Sequence, residues 1–208
     1  MKKLLLMCSF FIMMCAFTGC DKFLDVKPKG ILLPERVEDF EAMFNSPEMA
    51  MSFAEELLYC VDDYHEDFDA IIKTAQVNTY YWRKGMDVNI DENPAVWGGL
   101  YKSIYHANVI INKVLNAAEG TTAKKEALRA EALVVRADNY FTLLTIFAKA
   151  YDPATAASDP GLPLVTATDV TEKAPPRSSV QATLDTLLSN IQEALPSLPA
   201  RVPVLPAI

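Results

Sequence analysis

Between Ala123 and Tyr151 the chain reads as one helix that is apolar around most of its circumference, and such a helix must be enclosed by other elements. At about 100° per residue, Leu128, Ala132, Val135 and Ile146 fall on one side, while Leu133, Ala137, Tyr140, Leu144 and Phe147 cover the adjacent and opposite arc. The polar stripe that remains is narrow: Glu131, Asp138, Thr142, Thr145 and Lys149. Ala127, Ala130, Ala132 and Ala137 let neighbouring backbones approach, and Tyr140, Phe141 and Phe147 are expected to fill the space further along. Arg136 lies inside the apolar arc. Its guanidinium stays charged, so a carboxylate or backbone carbonyls are expected beside it.

The flanking segments supply partners for this helix. Asn93-Pro94 has the cap-then-proline pattern of a helix start, predicting a helix to Ala118 that Gly120 closes. Trp97, Leu100, Tyr101, Ile104, Ile111 and Leu115 share its inner face, Asn108 sits among them and needs hydrogen-bond partners, and His106 falls on the polar side. A turn from Glu119 to Thr122 then makes the two helices an antiparallel hairpin. Upstream, Pro34 is placed as a first helical residue before Val37, Phe40 and Phe44, and Ser46-Pro47-Glu48 starts another apolar segment running to Cys60. A short helix is expected over Phe68 to Ala75. Downstream, Asp152 to Lys173 reads as a long loop, and Val180, Leu184, Leu187, Leu188, Ile191 and Leu195 form an amphipathic helix that stops before Pro196, with Ser178 and Gln181 at capping-box spacing.

The first residues have a different character. Lys2 and Lys3 precede the apolar run Leu4 to Phe17, shorter than the roughly 20 residues a membrane-spanning helix needs, and the run reads as a secretory signal. It ends in Phe17-Thr18-Gly19-Cys20, which resembles the lipobox of a bacterial lipoprotein except for Phe17 in place of an aliphatic residue. On this reading residues 1–19 are removed, Cys20 carries lipid, residues 20–33 form the anchor and tether, and residues 34–208 form the folded domain. The alternative is an ordinary signal peptide that happens to contain a cysteine. With Cys8 and Cys15 gone and Cys20 acylated, Cys60 has no partner for an internal disulfide and reads as a small buried hydrophobe. Without Lys2 and Lys3, 17 basic residues face 27 acidic ones, a formal charge of −10. A chain so acidic repels phosphate backbones, and nucleic acid is not an expected partner.

No zinc-protease motif, nucleophile elbow, phosphate loop or dinucleotide fingerprint occurs, so the reading is of a protein that is not an enzyme and has no cofactor. The acidic stretch Asp62 to Asp69, with His65 inside it, fits no zinc spacing and reads as a solvated loop. Asp87-x-Asn89-x-Asp91 copies half a calcium loop but has Glu92 where glycine should follow and Gly98 where the closing Glu should stand, so no metal ligands are assigned. Asn78-Thr79-Tyr80-Tyr81-Trp82-Arg83 is the densest aromatic cluster. Rings beside Asn and Arg match the flat C–H faces and hydroxyl rims of sugars, and they equally match an ordinary core edge.

Several stretches resemble one family. Glu131 to Leu144 is similar to the "E-A-x-x-x-R-A-x-x-Y-F-x-L" helix of the SusD/RagB-like nutrient-binding lipoproteins. Cys20 to Pro28 is similar to their "C-x-x-F-L-D-x-x-P" start, and Trp97 to Asn108 to their "W-x-x-x-Y-x-x-I-x-x-A-N" helix. Asp159 to Thr166 resembles "D-x-G-x-P-L-V-T", and Pro176 to Gln181 is a fifth landmark, whereas Ala148-Lys149-Ala150-Tyr151 replaces the usual glycine motif. The resemblance implies an all-α fold of tetratricopeptide-like hairpins with long loops, of which residues 34–208 are the N-terminal part, incomplete at the C-terminus. It implies a lipid-anchored outer-membrane protein, exposed at the cell surface, that binds glycans or other nutrients and delivers them to a SusC-type TonB-dependent transporter. It also places ligand on the loop-rich side, which favours Asn78, Tyr80, Tyr81, Trp82 and Arg83 as contact residues. The rival readings are a helical adaptor lipoprotein that binds only protein partners, and a truncated fragment without function.

Overall fold

The computed structural model describes residues 34–50, 59–63, 65, 74–83, 95–169, 171 and 173–198. The predicted leader, Cys20, the predicted tether, the half calcium loop at 87–91 and most of the acidic stretch lie outside these residues. What is described is mostly helical, with one small antiparallel sheet.

The chain enters at helix α1, Val37–Phe44. Its start is three residues later than the Pro34 pattern predicts, because Asp39 Oδ2 accepts the backbone N–H groups of Arg36 and Glu35 and sets the first turn there. Those two bonds hold the Asp39 carboxyl below the ordinary range, with the Arg36 N–H the larger influence. A single turn, α2, Pro47–Ala50, follows. Helix α3, Thr74–Tyr80, includes Thr74 and Ala75, the described residues of the predicted Phe68 to Ala75, and continues past them to Tyr80.

The body is built on two long helices, α4, Ala95–Lys113, and α5, Thr122–Phe147. Tyr101 faces Tyr140, Ser103 bonds Asn139, and Asn108 bonds Arg136, so the pair is antiparallel as the turn predicts. The connection tightens into a 3₁₀ turn over Val114–Asn116, which rotates Leu115 out into solvent rather than onto the inner face. Gly120 adopts φ +72°, and a Cβ there would meet Val37 Cγ2 at 2.6 Å, so both conformation and close packing require glycine. Thr121 Oγ1 then accepts the Lys124 N–H and caps α5. The helix ends at Phe147, four residues before the predicted Tyr151.

The predicted long loop is partly ordered into strand β1, Pro160–Pro163, paired antiparallel with β2, Arg177–Ser179. Gly161 sits where a Cβ would lie 2.4 Å from the Ser179 carbonyl oxygen and 2.5 Å from Thr183 Oγ1. Helix α6, Val180–Ala194, follows at once. It is capped by Ser179, whose hydroxyl accepts the Ala182 N–H, and not by Ser178, whose hydroxyl donates to the Leu162 carbonyl across the sheet. Asn190 meets Arg136 and Glu193 meets Arg129, so α6 runs antiparallel to α5.

The two ends of α5 sit in separate apolar clusters. Leu128, Ala130 and Leu133 pack with Val37, Phe40, Ile110 and Val114 at one end, while Ala137, Tyr140 and Leu143 pack with Leu100, Ile104, Leu162 and Val180 at the other. Arg136 lies between them, 7% exposed. Among the described residues, neither a carboxylate nor a backbone carbonyl meets its two terminal nitrogens. They donate instead to amide oxygens, Nη1 to Asn108 at 2.9 Å and Nη2 to Asn190 at 2.8 Å, and burial lowers the guanidinium pKa. One buried cation thus joins α4, α5 and α6. Asn108 also donates to the Val165 carbonyl at 2.9 Å, which satisfies the prediction that it must find partners.

The segment after β1 is strapped to the hairpin by side chains. Tyr101 donates to the Pro163 carbonyl, Asn112 donates to the Thr166 carbonyl, and Tyr140 both donates to the Val165 carbonyl and accepts the Val165 N–H. At the other end of β1, Asp159 accepts bonds from Lys149 and Thr155, and Lys149 first and Thr155 second hold its carboxyl below the ordinary range. The motif Asp159 to Thr166 is therefore a strap whose glycine, carboxylate and carbonyls each have a packing or bonding task.

Candidate functional site

The aromatic cluster singled out in the sequence lies at the C-terminal end of α3. Three backbone bonds shape it: Tyr81 N–H to the Val77 carbonyl at 3.0 Å, Trp82 N–H to the Thr79 carbonyl at 3.0 Å, and Arg83 N–H to the Asn78 carbonyl at 2.7 Å. The last two are the paired bonds of a Schellman helix end, which requires a left-handed residue between them. That residue is Trp82, at φ +54°. Glycine ordinarily takes the position. A side chain there costs about 1–2 kcal/mol, and a bulky aromatic in this region is rare.

The helix end sorts the five predicted contact residues into two groups. Tyr81, Trp82 and Arg83 are exposed, Tyr81 by 53% and Trp82 by 78%. Asn78 and Tyr80 are half-buried, and Thr79 between them is fully buried. Tyr80 meets Tyr81 edge-on, with ring centroids 5.1 Å apart, and the Arg83 guanidinium lies 4.8 Å from the Tyr81 ring centre. Tyr80, Tyr81 and Arg83 therefore touch in sequence, and Trp82 projects beside them. The exposed Trp82 ring can stack against the C–H face of a flat ligand, while Arg83, whose guanidinium lies over the Tyr81 ring, and the Asn78 side of the turn meet polar groups.

Trp97, the other tryptophan, is not part of this surface. It packs on Tyr101 at 4.9 Å and edge-on to Phe147 at 5.0 Å, as its place on the inner face of α4 predicts. His106, expected on the polar side, is half-buried beside Tyr105, and burial lowers its pKa. Phe141 departs from its expected role most clearly. It is 57% exposed and lines an open apolar groove between α5 and α6 with Tyr151 and Leu188. The helical spacing of Leu184, Leu188, Ile191 and Leu195 was the sequence signal for this second surface, since one helix cannot bury both that row and the Leu187 side against α5.

Residues 22–206 match the sequence model of the SusD-like_3 family, described as "Starch-binding associating with outer membrane". The match spans most of the chain, which belongs to this SusD-like family. Among solved structures, a protein of Bacteroides vulgatus ATCC 8482 assigned as sugar binding superposes with a TM-score of 0.63 at 20% identity, over 81% of this chain and 38% of that one. A SusD superfamily protein of Bacteroides thetaiotaomicron VPI-5482 gives 0.59 at 20% identity, over 79% of this chain and 38% of that one. The chain thus spans less than two fifths of the length of the solved proteins it resembles. No curated protein matches it.

Proposed function

We propose that this chain is the N-terminal, tetratricopeptide-like part of a glycan- or nutrient-binding lipoprotein, anchored through Cys20 at the outer surface of the outer membrane. In this reading it hands its ligand to a SusC-type TonB-dependent transporter and performs no catalysis. The observation that carries the binding assignment is Trp82, a large aromatic held exposed in a left-handed conformation where glycine would be less strained. Backbone strain of this kind persists where the displayed side chain is used. The family description supplies the ligand class, and Arg83, lying over the exposed Tyr81 ring, supplies a cation beside Trp82.

The test is a fluorescence and NMR titration of the chain with a panel of starch-type and other oligosaccharides. A single platform of this size is expected to give millimolar binding, about −4 kcal/mol, and Trp82→Ala is expected to abolish it. Saturable binding that Trp82→Ala leaves unchanged would remove the assignment, as would no response to any glycan. The anchor has its own test: Cys20→Ala is expected to leave the protein unprocessed or to release it from the membrane fraction, and a cleaved, membrane-retained variant would refute lipidation. The rival adaptor reading draws on the groove between α5 and α6, and a chain that binds protein partners but no glycan would favour it.

A further inference from the structure

We propose that the Trp82 platform takes an acidic glycan, whose sugars carry a carboxylate or a sulfate, and that Arg83 is the residue that selects for the charge. This rests on the glycan reading and narrows its ligand class. The observation behind it is a difference among the arginines, five of which lie within the described residues. Arg36 pairs with Glu119 and Arg129 with Glu193. Arg136 donates to the Asn108 and Asn190 amide oxygens, and Arg177 donates to the Gly161 and Phe147 carbonyls. Among the described residues the Arg83 guanidinium has no oxygen acceptor, and its contact is the Tyr81 ring, 4.8 Å from the ring centre.

Position and charge then act together. Tyr81, Trp82 and Arg83 are exposed in succession. Neighbouring Cα atoms are about 3.8 Å apart, so the Trp82 ring and the Arg83 cation are offered to the same stretch of ligand. The ring beneath the guanidinium restrains it and supplies no oxygen, so the planar fork of N–H donors remains available to the paired oxygens of an oxyanion. A neutral sugar would gain little from this fork. Its hydroxyls replace water that serves exposed N–H groups about as well, whereas an oxyanion makes charge-assisted bonds roughly twice as strong as neutral ones. The acidic balance of the chain, 27 acidic against 19 basic residues, opposes the approach of such a ligand. At physiological ionic strength that repulsion is largely screened beyond about 8 Å, while the Arg83 contact acts well inside this distance. The cation beside Trp82 therefore decides the sign of charge that the platform accepts.

The experiment titrates the full chain, by NMR, with two matched pairs: a galacturonic acid trisaccharide and its methyl ester, and a sulfated galactose trisaccharide and its unsulfated parent. Each pair keeps the rings and changes the charge. At least one charged member is expected to bind about three- to fivefold more tightly than its neutral partner, the upper part of the range for an exposed ion pair. A preference in the first pair alone assigns uronic acids, in the second alone sulfated sugars, and in both an oxyanion of either kind. Arg83→Gln should bring the ratio within the preferred pair to about one, and Arg83→Lys, which keeps the charge without the fork, should retain only part of it. Lys113→Gln removes a positive charge from an exposed position on α4 and should leave the ratio unchanged. Circular dichroism melting checks the fold of each variant, and if Arg83→Gln is misfolded, Arg83→Lys carries the test. Equal affinity within both pairs, together with loss of all binding in Trp82→Ala, would overturn the charge selection and leave the platform in place. A preference that Arg83→Gln keeps, or that Lys113→Gln also removes, would overturn it too. Binding that Trp82→Ala leaves unchanged, or no binding of any of the four sugars, would remove the glycan reading and this inference with it.

Discussion

Trp97 and Trp82 stand in two clusters of nearly the same composition and have opposite surroundings. Trp97 lies in a row of rings, with Tyr101, Tyr140 and Phe147, whose bodies fill the space between α4 and α5 and whose two phenol groups bond the backbone of the strap. Trp82 stands on a helix end whose three backbone bonds turn it outward. Aromatic density therefore identifies neither a core nor a site. What separates the two is the backbone beneath them: ordinary helix under Trp97, a strained left-handed residue under Trp82.

The sharpest way to break this contrast is truncation of the buried member. Trp97→Ala removes a half-buried ring touching two others and is expected to lower stability by about 2–3 kcal/mol, less than the ~3–5 kcal/mol for a fully buried large aromatic. Chemical denaturation would measure it, and a loss below about 1 kcal/mol would deny Trp97 its place in the core. Next in size is Tyr140→Phe, which keeps the ring and deletes the hydroxyl that serves Val165 twice. A loss of roughly 1–2 kcal/mol is expected, because the half-buried Val165 N–H is left without its acceptor while the Val165 carbonyl keeps only the Asn108 amide. Burial has pushed the Tyr140 pKa up to about 12, so its ultraviolet titration should lag behind that of the exposed tyrosines.

The exposed cluster is predicted to respond with the opposite sign. Trp82→Gly relieves a left-handed side chain and should raise stability by about 0.5–1 kcal/mol while abolishing the proposed glycan binding. A loss of stability would mean that the ring is packed and the strain reading wrong. The smallest effect concerns His106, whose folded-state pKa is lowered, by burial above all. The unfolded chain then binds the proton more readily, so stability should fall as pH drops through the ordinary histidine range near 6.5 and should recover above it. His106→Phe should flatten that part of the pH profile, and an unchanged slope between pH 7 and 5 would assign it to other groups.

Much of the fold was legible in the sequence because its signals are local. The hairpin, the Gly120 closure, the inner face of α4 and the amphipathic α6 follow from caps, glycine and periodicity, and the family's motifs named the chain's relatives. The errors occurred where a residue's role depends on a distant segment. Phe141 lies in the same helix as Tyr140, yet Tyr140 meets the strap and Phe141 meets no covering element among the described residues. Ser178 and Ser179 are both plausible caps by composition, and pairing with β1 decides between them by taking the Ser178 hydroxyl for Leu162.

For the candidate site, the sequence by itself determined which residues are available: a run of Asn, three aromatics and Arg on one short stretch. Tertiary structure decided that Tyr81, Trp82 and Arg83 are displayed while Asn78 and Tyr80 are half-buried. The reason is that periodicity fixes directions around a helix but not where the helix stops, and one Schellman turn after Thr79 reverses the sense of exposure. The same distinction applies to Arg136. Its position in an apolar arc required a partner, but only the convergence of three helices decided that two asparagine amides, 28 and 54 residues away, would share the charge.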